Sequence, residues 1–243
     1  MESGEQAARA YDPALAEKVA AELGAALKAY LQDATERPSP TSSGGSPAEL
    51  AALAQRRLRR QPPEWREREL PARARELAEE FLAHCRRLHS PHYIGHQVPA
   101  PAPIAGLFDG LGAAVNQPMA IFEMGPYASA IERAVGANLK TLVGWKDGEG
   151  DAVATHGGSL ANLTALLAAR NVRLPEFWKR GAASGAAPAI AAGADSHYSI
   201  ARAAGVLGVG TERILKIAHD ERRRMRPDAL ESALEKAERE GLA

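Results

Sequence analysis

Cysteine is almost missing from this chain, with Cys85 the single one among 243 residues. One thiol excludes an internal disulfide, and no Cys/His cluster has the spacing of a zinc module. Aromatic residues make up only 5%. Net charge is absent as well, since 30 basic residues cancel 30 acidic ones. That balance removes the basic footprint of a nucleic-acid binder and leaves small anions as possible ligands. No run of 18 apolar residues occurs, and Met1-Glu2-Ser3-Gly4-Glu5 is acidic with no apolar segment behind it, so neither a membrane span nor a secretory signal is read. These absences predict a soluble, cytoplasmic protein with no nucleic-acid and no membrane partner.

What is present is a chain 45% apolar, enough for one or two cores. From Pro13 to about Leu31, Leu15, Val19, Ala20, Leu23, Leu27 and Leu31 recur at three- and four-residue steps, which predicts an amphipathic helix. Residues 38–46, rich in proline, serine and glycine, read as a linker. Ser46 as N-cap, Pro47 at the first helical position and Glu49 three residues after Ser46 form a capping box. The basic end of that helix, Arg56, Arg57, Arg59 and Arg60, reads as a solvated face beside the helix dipole. A third helix from Pro71 to about Leu88 directs Ala74, Leu77, Ala78, Phe81, Leu82 and Cys85 to one side.

The loop at 89–103 follows, with three histidines, Gln97, Tyr93 as aromatic anchor and alternate prolines that force an extended path. No carboxylate or cysteine accompanies the histidines at ligand spacing, so no metal is expected. Polar loops of this kind often carry binding residues, which singles out His96 and Gln97. Helices are predicted from Ile104 to about Asn116 and from Gly125-Pro126 to about Val143, with Asp147-Gly148 as a turn.

Thr155-His156-Gly157-Gly158-Ser159-Leu160-Ala161-Asn162 joins a short apolar segment to an Ala/Leu-rich helix. Two glycines and a serine at a helix start leave backbone N–H groups unpaired. With the partial positive charge of the helix N-terminus, roughly half an elementary charge, such a start binds phosphate without a lysine or arginine. The same residues also suit an ordinary Ser-capped helix entered through a glycine turn. After a solvent-facing connection from Pro175 to Ala187, Pro188–Ala192 reads as a buried strand and Ile200–Leu207 as a small-residue helix. Arg213–Ile217 reads as a second strand, and Pro227 to about Glu240 as an amphipathic helix with Leu230 and Leu234 inward. This order predicts a parallel sheet whose ligand site lies at the carboxyl ends of the strands. His197 falls just after the first of these strands, where an imidazole could stack on a flat ring held by the phosphate cup.

These residues resemble the pyridoxal-phosphate-dependent decarboxylases that act on glutamate, aromatic amino acids, sulfinoalanine or diaminobutyrate. The resemblance runs from Ser90-Pro91-His92-Tyr93-Ile94-Gly95-His96 to the end of the chain. It is carried by Asn116-Gln117-Pro118-Met119 through Gly125-Pro126, by Gly157–Asn162 through Arg170, and by Ser196-His197-Tyr198-Ser199 with Leu207-Gly208-Val209-Gly210. Asp220-Glu221-Arg222 and Met225 add a weaker match. The resemblance implies an α/β, aspartate-aminotransferase-like (fold type I) large domain with a mostly parallel, seven-stranded sheet. Residues 1–103 would be a helical arm, with a linker at 38–46 and a substrate loop at 89–103; 104–243 would be the first part of the cofactor domain.

The cofactor implied is pyridoxal 5'-phosphate, its phosphate held by Gly157, Gly158 and Ser159 and its ring stacked by His197, which is also the catalytic candidate. Substrate contacts are implied for His96, Gln97 and Asn116. The substrate implied is an L-amino acid that loses CO₂, and the assembly a homodimer, with a neighbouring-subunit loop near Pro118 to Ala120. Alternatives at this stage are a non-catalytic relative that binds a phosphorylated ligand or a partner, and a lyase acting by aldol-type cleavage. The family's Schiff-base lysine stands in an Asp-Ala-His-Lys-like context, and lysines 18, 28, 140, 146, 179, 216 and 236 all lie outside one. The chain is therefore expected to be a truncated fragment, inactive alone. Arg223-Arg224 stands where relatives tend to have glycine and lysine, and His156 where a small residue is commoner.

Overall fold

A computed structural model describes residues 10–36, 40–42, 45–59, 69–146, 148–181, 185 and 187–242. Met1–Glu5, Pro38, Ser39, Ser43, Gly44, Arg60, Asp147 and part of the 175–187 connection lie outside the described residues. The chain divides into two compact units, Met1–Asn116 and Gln117–Ala243.

The first unit is helical: α1 (Pro13–Glu36), α2 (Pro47–Arg59), α3 (Leu70–His84) and α4 (Pro103–Val115). The capping box at α2 forms as its spacing predicts. The Ser46 N–H donates to Glu49 Oε2 at 2.6 Å, and the Glu49 N–H donates to Ser46 Oγ at 3.3 Å. Hydrogen bonding from Ser46, its backbone N–H first and its side chain second, holds the Glu49 carboxyl below its ordinary value. The basic end of α2 is not wholly solvated, because Arg57 is ion-paired with Glu80 on α3 and its Nε lies 3.2 Å from Glu80 Oε1.

Helices α1 and α3 pack together. The buried stripe of α1 runs through Leu15, Ala26 and Ala34, with Leu23 exposed, since small residues let the two backbones approach. On α3 the expected inward set is right except for Leu77 and Phe81. Ala74, Ala78 and Leu82 are partly covered, while Phe81 is 69% exposed; a single partner helix covers a strip too narrow for the whole apolar face. Cys85 caps the end of α3 in an extended conformation; it is half-buried, and that burial pushes its thiol up. Helix α4 leaves Ile104, Leu107, Phe108, Leu111 and Val115 exposed.

The second unit contains α5 (Pro126–Leu142), α6 (Gly158–Arg173), α7 (Pro175–Arg180), β1 (Ile190–Gly193), α8 (Ser199–Val206), β2 (Ile214–Ile217) and α9 (Pro227–Arg239). Strands β1 and β2 are parallel, with Ile190 opposite Ile214 and Gly193 opposite Ile217. The expected β-α-β-α order is thus present, as two strands among the described residues. Ala204, Leu207 and Val209 form a buried cluster under Leu163, Leu166 and Leu167 of α6, joined by Ile190 and Ile214 at the strand starts. Fully burying a Leu-sized side chain in such a cluster contributes about 1.5–3 kcal/mol.

Two expectations fail here. The Pro175–Ala187 connection is not solvent-facing at its start, because Phe177 on α7 is 7% exposed and Arg170 lies over its ring, 4.8 Å from the centroid. Arg170 also donates through Nη1 to the Leu207 carbonyl at 2.8 Å, tying α6 to the end of α8. On α9, Leu230 is half-buried and Leu234 is 50% exposed, while Ala237 is buried. A helix longer than the two short strands it covers meets them only along part of its length.

Candidate functional site

The segment before α6 is pinned to α5 before it reaches the two glycines. The Ala154 N–H donates to Glu132 Oε1 at 2.8 Å, and Lys140 Nζ donates to the Gly150 carbonyl at 2.7 Å. Close approach is possible because Gly136 faces Ala152, whose Cβ would lie 3.0 Å from a Cβ added at Gly136. This anchoring sets the direction from which the chain enters α6.

At the helix start the cap is Gly157, at φ 88° and ψ 160° with no side-chain cap bond. Such backbone angles belong almost solely to glycine. Ser159 therefore does not cap the helix in the ordinary way. The Gly157 N–H is spent on the Thr155 carbonyl at 2.9 Å. Among the described residues, no acceptor meets the N–H groups of Gly158 and Ser159. A Cβ added at Gly158 would have nothing within 4 Å, so the exposed side of this turn is open to an oxyanion. Two free amides at a helix start, backed by the helix dipole, suit a phosphomonoester.

The second component sits at the carboxyl end of β1. Asn162, one turn into α6, donates Nδ2–H to Ser199 Oγ at 2.8 Å. Ser199, 1% exposed, lies at the start of α8 with its Oγ 2.9 Å from His197 Nδ1. The Ser199 N–H also reaches Nδ1, at 3.2 Å. The His197 ring is exposed and lies against Tyr198, with centroids 4.1 Å apart and planes tilted by 41°. The helix of the cup and the turn carrying His197 are thus joined by side chains, not only by adjacency to one sheet.

A third group gathers at the same strand ends. Asp195 Oδ2 accepts from His219 Nε2 at 2.5 Å and from Arg223 Nη2 at 2.8 Å. The turn after β2 is built on Asp220, whose Oδ1 accepts the N–H groups of Arg222 and Arg224, each at 2.9 Å. Oδ2 takes the Arg224 guanidinium, with Nε at 2.8 Å. The Arg224 backbone and side-chain bonds, in that order, hold the Asp220 carboxyl below its ordinary range. Arg223 lies at φ 63°, the left-handed region that favours glycine.

The first unit carries the other sequence candidates. His96 and Gln97 are exposed in the loop before α4. The His96 carbonyl accepts the Val98 N–H at 2.6 Å and the Tyr93 hydroxyl at 3.4 Å. His89 Nε2 donates to the Pro101 carbonyl at 2.9 Å and so clasps the two ends of this loop. Asn116 is the left-handed C-cap of α4, at φ 45°. Among the described residues no group of three His, Cys, Asp or Glu could hold a metal ion, and no helix is long and apolar enough to cross a membrane. Sequence patterning alone does not single out Asn162, Ser199 or Asp195 by role, although all three lie within or beside the glycine and histidine motifs.

Comparison with known proteins gives a consistent result. The pyridoxal-dependent decarboxylase conserved domain matches residues 55–243. Cysteine sulfinic acid decarboxylase of Mus musculus is 33% identical over 177 residues, covering 68% of this chain and 35% of the relative. Acidic amino acid decarboxylase GADL1 of Homo sapiens is 33% identical over 130 residues, 54% of this chain and 25% of the relative. Among solved structures, mouse CSAD superposes with a TM-score of 0.81 at 26% identity, over 96% of this chain and 47% of that one. Oryza sativa TDC, solved with PLP and tryptamine, has the same fold, with a TM-score of 0.73 at 22% identity over 96% of this chain and 51% of that one. The chain spans about half the length of these structures and a quarter to a third of the curated relatives.

Proposed function

Because the chain belongs to the pyridoxal-dependent decarboxylase family, whose conserved domain matches residues 55–243, we propose that it forms part of an amino-acid carboxy-lyase and supplies the phosphate and ring contacts of its cofactor. The observation that carries the reading is the pair of free amides at Gly158 and Ser159, on a helix tied to His197 through Asn162 and Ser199. Gly158 and Ser159 bind the phosphate of pyridoxal 5'-phosphate, and Gly157 gives the backbone its entry angle. His197 lies over the pyridine ring. When bound, the cofactor supplies an electron sink for loss of CO₂ from an L-amino acid.

The chain's own residues would hold the cofactor at its phosphate and over one face of its ring, which would limit tilting of the ring and favour one orientation of the reacting bond. Substrate contacts from His96, Gln97 and Asn116 belong to the same proposal, supported by the clasped, exposed loop that carries the first two. Residues 1–103 are taken as the helical arm and 104–243 as the first part of the cofactor domain; the compact units divide after Asn116, which leaves α4 with the arm. The exposed apolar face of α4 supports a homodimer, and the lone Cys85 supports a reducing, cytoplasmic setting. The covalent lysine is proposed not to be among this chain's seven: Lys140 is engaged by Gly150 and Lys236 lies beside Glu240. The 243-residue chain by itself should then turn over no amino acid.

The test is Ser159→Asp, which places a carboxylate against the phosphate. Affinity for pyridoxal 5'-phosphate should fall by at least tenfold, roughly the cost of one charge-assisted hydrogen bond turned to repulsion. Unchanged affinity would remove the cup.

A further inference from the structure

Ser199 Oγ accepts a hydrogen bond from Asn162 Nδ2–H at 2.8 Å and sits 2.9 Å from His197 Nδ1. A serine hydroxyl has one proton to give, so with Asn162 already donating to it, that proton is directed at Nδ1. The Ser199 backbone N–H points at the same nitrogen from 3.2 Å. Nδ1 thus faces two donors and can only accept, which leaves the ring proton on Nε2, the nitrogen away from Ser199 and toward the exposed side. Asn162 belongs to the helix whose first residues make the cup, and Ser199 is buried, so neither partner is free to turn away.

We infer that Asn162 and Ser199 are positioning residues that lock His197 as its Nε2–H tautomer and aim that N–H out of the strand ends. The lock gives the ring one orientation relative to the phosphate cup, because α6 bears both Asn162 and the cup. It also gives the site a fixed donor on the exposed edge of the imidazole, suited to an anionic oxygen such as a carboxylate. The inference rests on the reading of His197 as a ring-stacking residue for its functional meaning, but not for its geometry.

The test is nitrogen NMR of the 243-residue chain without cofactor, labelled at histidine. In the unaltered protein His197 Nδ1 should resonate as the unprotonated nitrogen and Nε2 as the protonated one. Ser199→Ala removes the hydroxyl donor, and the tautomer ratio should move about two- to tenfold toward Nδ1–H, the weight of one ordinary hydrogen bond. Asn162→Asp should do the same without touching Ser199, because a carboxylate claims the hydroxyl proton for itself; this variant at a half-buried position carries the test if Ser199→Ala does not fold. Ser199→Thr, which keeps the hydroxyl, should keep the ratio. A proton on Nδ1 in the unaltered chain, or a ratio indifferent to both Ser199→Ala and Asn162→Asp, overturns the lock. In a separate arm, His197→Asn with undiminished affinity for pyridoxal 5'-phosphate would overturn the stacking reading and leave the tautomer result standing.

Discussion

Arg223 reaches across from the turn after β2 to Asp195 after β1, its Nη2 2.8 Å from Oδ2, while its own backbone sits at φ 63°. The pair therefore sets an exposed ion pair against a conformation that disfavours any residue with a Cβ. An exposed pair of this kind contributes about 0–1 kcal/mol, and the left-handed conformation costs about 1–2 kcal/mol. Arg223→Gly should raise stability by up to about 1 kcal/mol, whereas Arg223→Ala, which loses the pair and keeps the strain, should lower it. Urea unfolding of the two variants decides between the effects; a destabilised Arg223→Gly would mean the pair outweighs the backbone.

The Asp220 turn gives a pH dependence. Its carboxyl is held below the ordinary value by the Arg224 and Arg222 bonds, so the unfolded chain binds a proton there more readily than the folded one. The stabilisation is complete above the unfolded pKa, about 3.9, and is lost as pH falls through the lower folded value. Asp220→Asn should abolish this contribution. Stability profiles of the parent and the variant should converge toward acid and separate toward neutral pH; parallel profiles would refute the assignment.

Gly157 is the backbone requirement of the cup. At φ 88° and ψ 160°, with nothing within 4 Å of an added Cβ, Gly157→Ala meets strain but no clash. The expected loss is about 1–3 kcal/mol, read as a lower denaturation midpoint with unchanged helix content by circular dichroism. An unaltered midpoint would show that the turn relaxes freely.

Phe177 should behave as a core residue in spite of its surroundings in sequence. Phe177→Ala is expected to cost about 3 kcal/mol or slightly more, which calorimetry would register as a clear drop in melting temperature. A change below about 1 kcal/mol would mean that the ring and the Arg170 guanidinium above it add little to the second unit.

The difference between Ser46 and Phe177 shows which features sequence makes legible. A capping box is complete within four residues, so Ser46 and Glu49 announce their own bonds. The strands are legible for a similar reason: short apolar runs separated by a small-residue helix leave one parallel arrangement. Phe177 lies in Glu176-Phe177-Trp178-Lys179-Arg180, a short segment with charge at both ends, and Arg170 on another helix lies over its ring, which no local pattern reports. Phe81 and Leu234 err in the opposite direction, since periodicity marks the apolar face of a helix without saying how wide its partner is. Within the site, Gly157–Ser159 and His197 stand out because unusual backbone chemistry and a histidine at a strand end are rare. Asn162 and Ser199 do not, since a small polar residue has many uses and only the fold brings these two within 2.8 Å.

The register between β1 and β2 joins Ile190 to Ile214 with only α8 and a short turn between them. Parallel pairings are generally slow to form because their partners are distant along the chain; this one closes over a short span. Its packing partners on α6, Leu163, Leu166 and Leu167, precede it and have already left the ribosome when β2 emerges. The strand pair can therefore condense during synthesis, with hydrophobic contacts waiting for it, so that the floor beneath His197 is laid early in the assembly of the site.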